Sequence, residues 1–255
     1  MYENRKLGFM YVLPFVIGVA LFKLFPFVMS FALSFTQYDL IEPPKYIGVE
    51  NYREMFTTDK LFPKSLGITL MFVALTVPLR LAAALFVAQI LNFKLRGINF
   101  FRSAFYLPSI LGGSIAVSIL WRFIFSRNGL INQALIALGF EPILWLADEQ
   151  YSLWTIVLLN VWQFGSSMII FLAGLKQIPQ EYYDAASVDG ATRVRQFFSI
   201  TIPLLSPVIL FTLVIQIISA FQVFTQAYII GGGKGGVLNS TLFYTLHLYI
   251  HHNCF

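Results

Sequence analysis

A stretch of chain without a single charged residue constrains this sequence more than any other feature. Residues 196–233 contain no Asp, Glu, Lys or Arg, and the same holds for residues 151–175. A transmembrane helix needs about 20 mostly apolar residues. Inside hydrocarbon the backbone N–H and C=O groups must be hydrogen-bonded within the segment, which for runs of this length means a helix. The sequence therefore predicts helices that cross a bilayer.

The composition indicates the same environment for the rest of the chain. Hydrophobic residues make up 58% of the 255 residues and charged residues 11%, against about 25% charged residues in an average soluble domain. A soluble monomer of this size cannot cover so much apolar surface with a polar shell. This excludes a soluble enzyme, a disordered chain and a nucleic-acid-binding domain as leading hypotheses. The single cysteine excludes an intrachain disulfide and a cysteine metal cluster.

We predict an all-α polytopic membrane protein in which five segments cross the bilayer. The predicted spans lie at about 9–31, 66–91, 104–125, 152–174 and 208–230. The N-terminus carries Arg5 and Lys6, and the loop at 92–102 carries Lys94, Arg96 and Arg102 and no acid. The loops at 37–64 and 127–150 carry most of the acidic residues. The positive-inside rule therefore places the N-terminus in the cytoplasm.

Three shorter segments between and after the spans have their own signals. Residues 128–140 are apolar and too short to span, which predicts a short helix at the outer surface. The run Gly231–Gly236 predicts a flexible turn. His247 and His251 are spaced i, i+4, but no acid lies near them, so surface or interface histidines explain them more simply than a metal site does.

The loop at 179–200 predicts a hairpin of two short helices. Pro179 suits a helix start, Gly190 permits a sharp turn, and Thr192 can cap a second helix that runs through Phe198. Pro203 and the following Pro207 then interrupt the start of the next span. Such a hairpin is built to protrude or to be held by a partner; a plain amphipathic connector is the alternative.

Several of these segments carry a family resemblance. Asp184-Ala185-Ala186, Asp189-Gly190-Ala191 and Ile202-Pro203-Leu204-Leu205 resemble the EAA signature of bacterial ABC-importer permeases. Further landmarks are similar, in order, to carbohydrate permeases of the maltose/glycerol-3-phosphate importer type, and within that type to the first of two paired permeases. These landmarks are Ser34–Thr36, Gly48–Tyr52, Leu107-Pro108, Trp121-Arg122 and Gly231–Gly236.

The resemblance implies an ABC-importer type I permease fold over one transmembrane domain, residues 1–255, in the bacterial inner membrane. It implies no enzymatic activity and no cofactor in this chain, with ATP and magnesium on a partner ATPase. The partners it implies are a second permease, two copies of the ATPase domain, an extracytoplasmic solute-binding protein and a sugar, and no nucleic acid. The family has a sixth span after the glycine-rich loop. We therefore expect five of six spans here, with the C-terminal span missing.

The resemblance also implies that the hairpin at 179–200 is the element that couples to the ATPase. The coupling residues would be Glu181, Asp184, Ala185, Ala186, Asp189 and Gly190. Asp184 would be the charge partner, although the family signature has the longer Glu at this position. Gly190 would form a turn with no room for a Cβ atom.

Polar side chains inside the spans are candidates for the substrate pathway, because sugars bind amides, hydroxyls and aromatic faces. The candidates are Asn160, Trp162, Gln163, Gln216 and Gln222, the last paired with Gln226 one turn on. The alternative is that these side chains join helices to one another.

Arg80 lies near the middle of its span, and no acid occurs between Lys60 and Phe140 to neutralise it. Snorkelling helped by a kink at Pro78, or a salt bridge to a partner subunit, would explain it. The sharper hypothesis is that Arg80 faces the pathway and that the cargo is an acidic, uronate-bearing oligosaccharide. An intramembrane enzyme or a proton-coupled secondary transporter would need acids or histidines at membrane depth, and the predicted spans contain neither.

Overall fold

The computed structural model describes residues 5–38, 42–93 and 97–252. It is helical almost throughout, and it divides into two compact units, 1–63 and 64–255. Lys94 and Arg96, on which the predicted orientation partly rests, lie outside the described residues, as do the side chains of Arg5, Lys6 and His251. One permease domain over 1–255 stays a prediction, and the two units are described in turn.

The first unit contains an apolar helix followed by a small folded loop. Helix α1 (Arg5–Val19) continues through a π-turn (Ala20–Leu24) into α2 (Phe25–Leu33). Together they are long and apolar enough to cross a membrane, which agrees with the predicted span at 9–31. Two short antiparallel strands, β1 (Thr36–Gln37) and β2 (Lys45–Tyr46), precede α3 (Glu50–Thr57).

Two of the sequence landmarks meet in that loop. Asn51 Nδ2 donates to the carbonyl oxygens of Ser34 and Thr36 at 2.9 and 3.0 Å. The Ser34 and Tyr52 hydroxyls lie 2.7 Å apart. These bonds hold the start of α3 against the end of α2, which explains why Ser34–Thr36 and Gly48–Tyr52 occur together in the sequence pattern.

The described residues of the second unit form eleven α-helices, the first of which begins at Leu61, and one 3₁₀ turn. A short helix at the hairpin (Arg193–Gln196) leads through a π-turn (Phe197–Thr201) into a helix that begins at Ile202. The helices are α4 (Leu61–Leu91), α5 (Ile98–Leu111), α6 (Ile115–Ile124), α7 (Leu130–Ala137), α8 (Glu149–Trp162), α9 (Gly165–Leu175), α10 (Gln180–Val188), α11 (Arg193–Gln196), α12 (Ile202–Phe221) and α13 (Thr225–Ile230), and the 3₁₀ turn Val237–Asn239 is followed by an eleventh helix, α14 (Tyr244–His252).

The number of spans depends on how two bent helix pairs are counted. Among the described residues three helical segments are long enough to cross a membrane without a break, namely 8–33, 61–91 and 193–221. The pair α5 and α6 is bent by 99°, and the pair α8 and α9 by 42°. If each bent pair is one span, five spans result, as predicted. The prediction of unbroken helices over 104–125 and 152–174 is wrong, because each contains a bend.

The predicted span at 208–230 is wrong at both ends. The helix continues from the hairpin at Arg193 to Phe221 and then breaks before α13. Pro203 and Pro207 do not interrupt it. The π-turn shifts the hydrogen-bond register just before Pro203, and the Ser206 hydroxyl donates to the Pro203 carbonyl, which has no N–H partner at Pro207 (2.8 Å).

Two apolar clusters hold the second unit together. One joins α4, α8, α13 and α14, and in it Phe72 and Phe243 pack edge to face with ring centroids 4.9 Å apart. The other joins α4, α9 and α12 around Met168, Phe171 and Leu205, all buried. Helix α14 has no counterpart in the sequence prediction, which placed only a turn between Gly231 and the chain end.

The close approach of α5 and α9 yields a stability prediction. A Cβ atom at Gly165 would lie 2.3 Å from the Phe105 carbonyl oxygen, which is backbone and cannot move away cheaply. We expect Gly165→Ala to lower the free energy of unfolding by about 1–3 kcal/mol, measured by denaturant unfolding in detergent micelles. Gly67→Ala is the control, because nothing lies within 4 Å of a Cβ atom there. Equal stability of both variants would contradict this packing.

Candidate functional site

Each of the three helix breaks releases a backbone carbonyl that a distant side chain then satisfies. At the α5–α6 break, the Gly112 carbonyl accepts from Gln226 Nε2 at 3.2 Å. At the α8–α9 break, the Gln163 carbonyl accepts from Arg80 Nη2 at 2.7 Å. At the α12–α13 break, the Val223 carbonyl accepts from the Thr245 hydroxyl. Unpaired carbonyls are costly in hydrocarbon, so these side chains are what make the breaks tolerable there.

The breaks are also tied to one another. Asn160 Nδ2 donates to Gln226 Oε1 at 2.6 Å, and the same nitrogen donates to the Ile156 carbonyl at 3.0 Å. A Cβ atom at Gly112 would lie 2.2 Å from Gln163 Cδ, so the Gln163 side chain lies directly against that glycine. We call Arg80, Gly112, Asn160, Gln163 and Gln226 the break cluster. It is the main concentration of buried amides in the described part of the chain.

The predicted pathway residues fall in or beside this cluster. Asn160, Gln163 and Gln216 are buried. Gln163 Nε2 donates to the Leu159 carbonyl at 3.0 Å, and Gln216 Nε2 donates to the Ser167 hydroxyl at 2.9 Å. The Asn160 and Gln216 contacts run from helix to helix, as in the helix-joining alternative. A role in sugar binding stays a prediction for each of them.

Trp162 is the aromatic member of the predicted pathway. Its side chain is partly exposed, with 38% of its residue surface accessible. Its ring centroid lies 5.7 Å from that of Trp121, whose Nε1 donates to the Thr155 carbonyl at 3.0 Å. Trp121 therefore fixes one side of Trp162 between α6 and α8. Sugar stacking on its remaining surface stays a prediction.

The pairing of Gln222 with Gln226 on one helix turn is wrong. The α12–α13 break lies between them, with Gln222 at the C-cap of α12 and Gln226 inside α13. Gln222 is exposed, and Gln226 is buried. Sequence reasoning placed more weight on Gln222, because an uncharged apolar run shows no signal where its helix breaks. Gln226 is the residue that the cluster depends on.

Arg80 contacts the C-terminal end of a helix. The Gln163 carbonyl closes α8, where helix carbonyls carry partial negative charge. Two other arginines do the same: Arg102 Nη2 donates to the Leu91 carbonyl that closes α4, and Arg122 Nη1 donates to the Ile229 carbonyl in the last turn of α13, both at 3.2 Å. Helix ends thus act as partners for cations in a region without acids. Within the described residues none of the ion pairs includes Arg80.

The hairpin at 179–200 folds as its sequence predicts. Pro179 is the N-cap of α10, and Thr192 Oγ1 accepts from the Arg195 N–H as the cap of α11. Between them, Gly190 has φ +76° and the Ala191 N–H returns to the Ala186 carbonyl, which closes α10 in a Schellman motif. The second helix does not stop near Phe198, because it continues through the π-turn into α12.

The predicted coupling residues lie together on the exposed first arm. Glu181, Asp184, Ala185, Asp189 and Gly190 are exposed, and Ala186 is partly exposed. Asp184 Oδ1 accepts from Gln180 Nε2 at 3.1 Å. Within the chain nothing lies within 4 Å of a Cβ atom at Gly190. Its positive φ, and not crowding inside this chain, is what requires glycine here.

The remaining sequence candidates are simpler. Residues Gly231–Gly236 form successive turns, with positive φ at Gly232, Gly233, Gly235 and Gly236. The predicted short helix at 128–140 is α7. His247 is buried in α14 and has a hydrogen-bonding or electrostatic partner. The described residues contain no group of three or more His, Cys, Asp or Glu side chains that could hold a metal ion.

Comparison with known proteins identifies the class of this arrangement. Residues 69–249 match the family described as the inner membrane component of binding-protein-dependent transport systems. The chain belongs to this family. The match covers every break of the cluster and the whole hairpin. The prediction of a transport permease that is not an enzyme is therefore confirmed.

Curated relatives extend the likeness beyond the family segment. The probable ABC transporter permease protein YesP of Bacillus subtilis is 54% identical over 248 residues, which cover 97% of this permease and 80% of the relative. The lactose transport system permease protein LacF of Rhizobium radiobacter is 36% identical, covering 97% of this chain and 83% of the relative. The first is named as a probable ABC transporter permease and the second as the permease of a sugar transport system.

Solved structures confirm the fold. A bacterial ABC transporter involved in the import of the acidic polysaccharide alginate contains a chain that superposes with a TM-score of 0.75, at 21% identity. The likeness covers 95% of this permease and 82% of that chain. The transporter in complex with an alginate pentasaccharide-bound periplasmic protein gives a TM-score of 0.77 at 22% identity. The ABC-importer permease fold predicted from the sequence is thus confirmed.

The break cluster predicts different roles for two neighbouring glutamines. Gln226→Leu removes the donor to the Gly112 carbonyl and the acceptor for Asn160. We expect the free energy of unfolding to fall by about 1–3 kcal/mol, the cost of buried polar groups without partners. Gln222→Leu, at an exposed position, should change it by less than about 0.5 kcal/mol. Unfolding in detergent measures both, and a reversed order would contradict the cluster.

Proposed function

We propose that this permease is the membrane subunit of an ATP-driven importer that moves a sugar or oligosaccharide into the cytoplasm. The observation that carries the proposal is the exposed hairpin, whose second arm continues without a break into the membrane-crossing segment 193–221. A partner that grips the hairpin from the cytoplasm therefore holds one end of a helix that reaches the break cluster.

The sugar class rests on the named relatives. Beside LacF, the arabinooligosaccharides transport system permease protein AraP of Bacillus subtilis is 34% identical over 90% of this chain. The trehalose/maltose transport system permease protein MalF of Thermococcus litoralis is 32% identical over 97%. The names of these three relatives all refer to sugars. Buried amides beside a partly exposed Trp162 suit the hydroxyl groups and apolar faces of such a cargo.

The proposed partners follow from the family to which the chain belongs. The family depends on a solute-binding protein, and we propose one that delivers the sugar from outside. A second permease would complete the pathway, and two ATPase subunits, which carry ATP and magnesium, would bind the hairpin. The N-terminus and the hairpin would then both lie in the cytoplasm. No cofactor and no nucleic acid have a role in this scheme.

The hairpin surface suits a charged partner cleft. Glu181 and Asp184 lie in α10, and Asp189 follows it at the turn, while Arg193 and Arg195 lie in the second arm; all five are exposed. Such charges steer association and fix the register of a complex more than they strengthen it. The hairpin residues would thus bind the ATPase and transmit its movement to the membrane helices, and the hydrolysis of ATP would take place on the ATPase.

A glycine substitution tests the coupling role. Gly190→Leu places a side chain on the exposed turn and strains its φ of +76°. In proteoliposomes that hold the complete importer, we expect sugar uptake to fall at least about tenfold, the effect of roughly 1.4 kcal/mol lost in coupling, while ATP hydrolysis continues. Gly139→Leu is the control, because Gly139 also has a positive φ and open space but follows α7 on the predicted outer side.

The control should transport normally once assembled. If Gly190→Leu transports like the wild type, the docking role of the hairpin is wrong. If wild-type uptake persists after ATP is depleted, the importer is not ATP-driven and the proposed function fails.

A finer proposal is that the cargo carries carboxylates. Arg80 uses one nitrogen on the Gln163 carbonyl, and its Nε is buried with no hydrogen-bond partner among the described residues. A guanidinium with donors to spare suits the two oxygens of a uronate. The opposing explanation is purely structural, because the same arginine caps the end of α8.

Arg80→Gln separates these explanations. If Arg80 recognises a carboxylate, uptake of uronate-bearing oligosaccharides should fall at least about tenfold, the equivalent of one lost charge-assisted bond, while uptake of neutral oligosaccharides changes little. If Arg80 only caps α8, both uptakes fall together. Arg122→Gln is the matched control, since it removes the same type of helix-end contact outside the cluster and should not discriminate between the two cargoes.

A further inference from the structure

The two arms of the hairpin are fastened to each other by one side-chain amide. Gln196, the last residue of α11, points its Nε2 back at the first arm. That nitrogen donates to the Ser187 hydroxyl at 2.9 Å and to the Ala191 carbonyl at 3.2 Å, and it lies 3.5 Å from the Tyr183 carbonyl oxygen. One amide therefore contacts the body of α10, its last turn and the connecting turn at once.

A second contact fastens the first arm to the π-turn. The Tyr183 hydroxyl lies 2.9 Å from the Thr201 hydroxyl. Thr201 is buried and is the last residue of the π-turn Phe197–Thr201, directly before α12. A π-turn is a rare irregularity of a helix that is often found at functional sites and at kinks. Without a brace, this is where a force applied to the hairpin would bend the helix.

We propose that Gln196, Tyr183 and Thr201 are positioning residues that form a clasp, which makes the hairpin a rigid extension of α12. A displacement of α10 then moves α12 as one body and is not absorbed at Gly190 or at the π-turn. This inference rests on the proposed function. It adds residues that would transmit the movement of the hairpin to α12. None of the three belongs to the predicted coupling residues that would bind the ATPase.

The bond between Tyr183 and Thr201 can be tested by a double-mutant cycle in the complete importer, reconstituted in proteoliposomes. Tyr183→Phe and Thr201→Val each remove one hydroxyl with little change in size, and Thr201→Ser keeps the hydroxyl as the rescue variant. The quantity measured is the number of ATP molecules hydrolysed for each sugar imported. A merely structural role would alter the amount of complex, not this ratio.

The clasp predicts that each single variant raises the ratio about threefold or more, since one neutral hydrogen bond corresponds to a factor of roughly 2 to 12. The double variant should match the single variants, and Thr201→Ser should match the wild type. Gln196→Glu, which loses the donors but keeps the size, should raise the ratio as well. Gln133→Glu, at an exposed amide in α7 that donates to the nearby Asn128 carbonyl, should leave it unchanged.

Other results would overturn the clasp. Single variants with the wild-type ratio would show that the bond transmits nothing, and a double variant equal to the product of the singles would show that the two hydroxyls act separately. Loss of the ATPase from Tyr183→Phe but not from Thr201→Val would place Tyr183 in the docking surface instead. A wild-type complex that imports sugar without hydrolysing ATP would refute the proposed function itself, an outcome distinct from all of these.

Discussion

The need to satisfy backbone carbonyls away from water organises the second unit of this permease. Two of its membrane-crossing segments are bent at a break and a third ends at one, and each break leaves a carbonyl that the helix no longer pairs. The donors come from other helices: Gln226 for Gly112, Arg80 for Gln163 and Thr245 for Val223. Every donor thereby fixes the position of the helix that carries it. The helices can therefore break only where they pack against a helix that carries a suitable donor.

The same requirement explains how the apolar segments hold arginines without acids. Arg80, Arg102 and Arg122 each donate to a carbonyl in the last turn or at the end of another helix. A cation near the middle of a span costs roughly 2.5–3.5 kcal/mol on insertion scales, and the partial negative charge of a helix C-terminus offsets part of that cost. A carboxylate in the cargo is therefore not needed to explain the depth of Arg80.

What could be predicted from this sequence depends on how far apart in the sequence the interacting residues lie. The hairpin could be predicted closely, because Pro179, Gly190 and Thr192 act on their own neighbours through caps and a turn. The approximate positions of the membrane segments could be predicted from apolar runs with at most one charge each. The breaks could not, because Gln222 and Val223 lie in a run as apolar as any helix. Only Gly112-Gly113-Ser114 carried a local signal, in the form of two glycines and a capping serine. Gln226 matters through contacts at sequence distances of 66 and 114 residues, which no local pattern reveals.

Helix α12 joins the two regions that the proposed function needs. It has 20 residues, so it is about 30 Å long, close to the thickness of the hydrocarbon core. At one end the π-turn and Tyr183 connect it to the hairpin, and at the other end it stops at the break that precedes Gln226. Gln226 is bonded to Asn160 in α8 and to Gly112 at the end of α5. A packed helix moves as a rigid body more readily than it bends. In the proposed mechanism, a movement of the hairpin would therefore displace the far end of α12, next to the Gln226 amide that links α13 to α5 and α8.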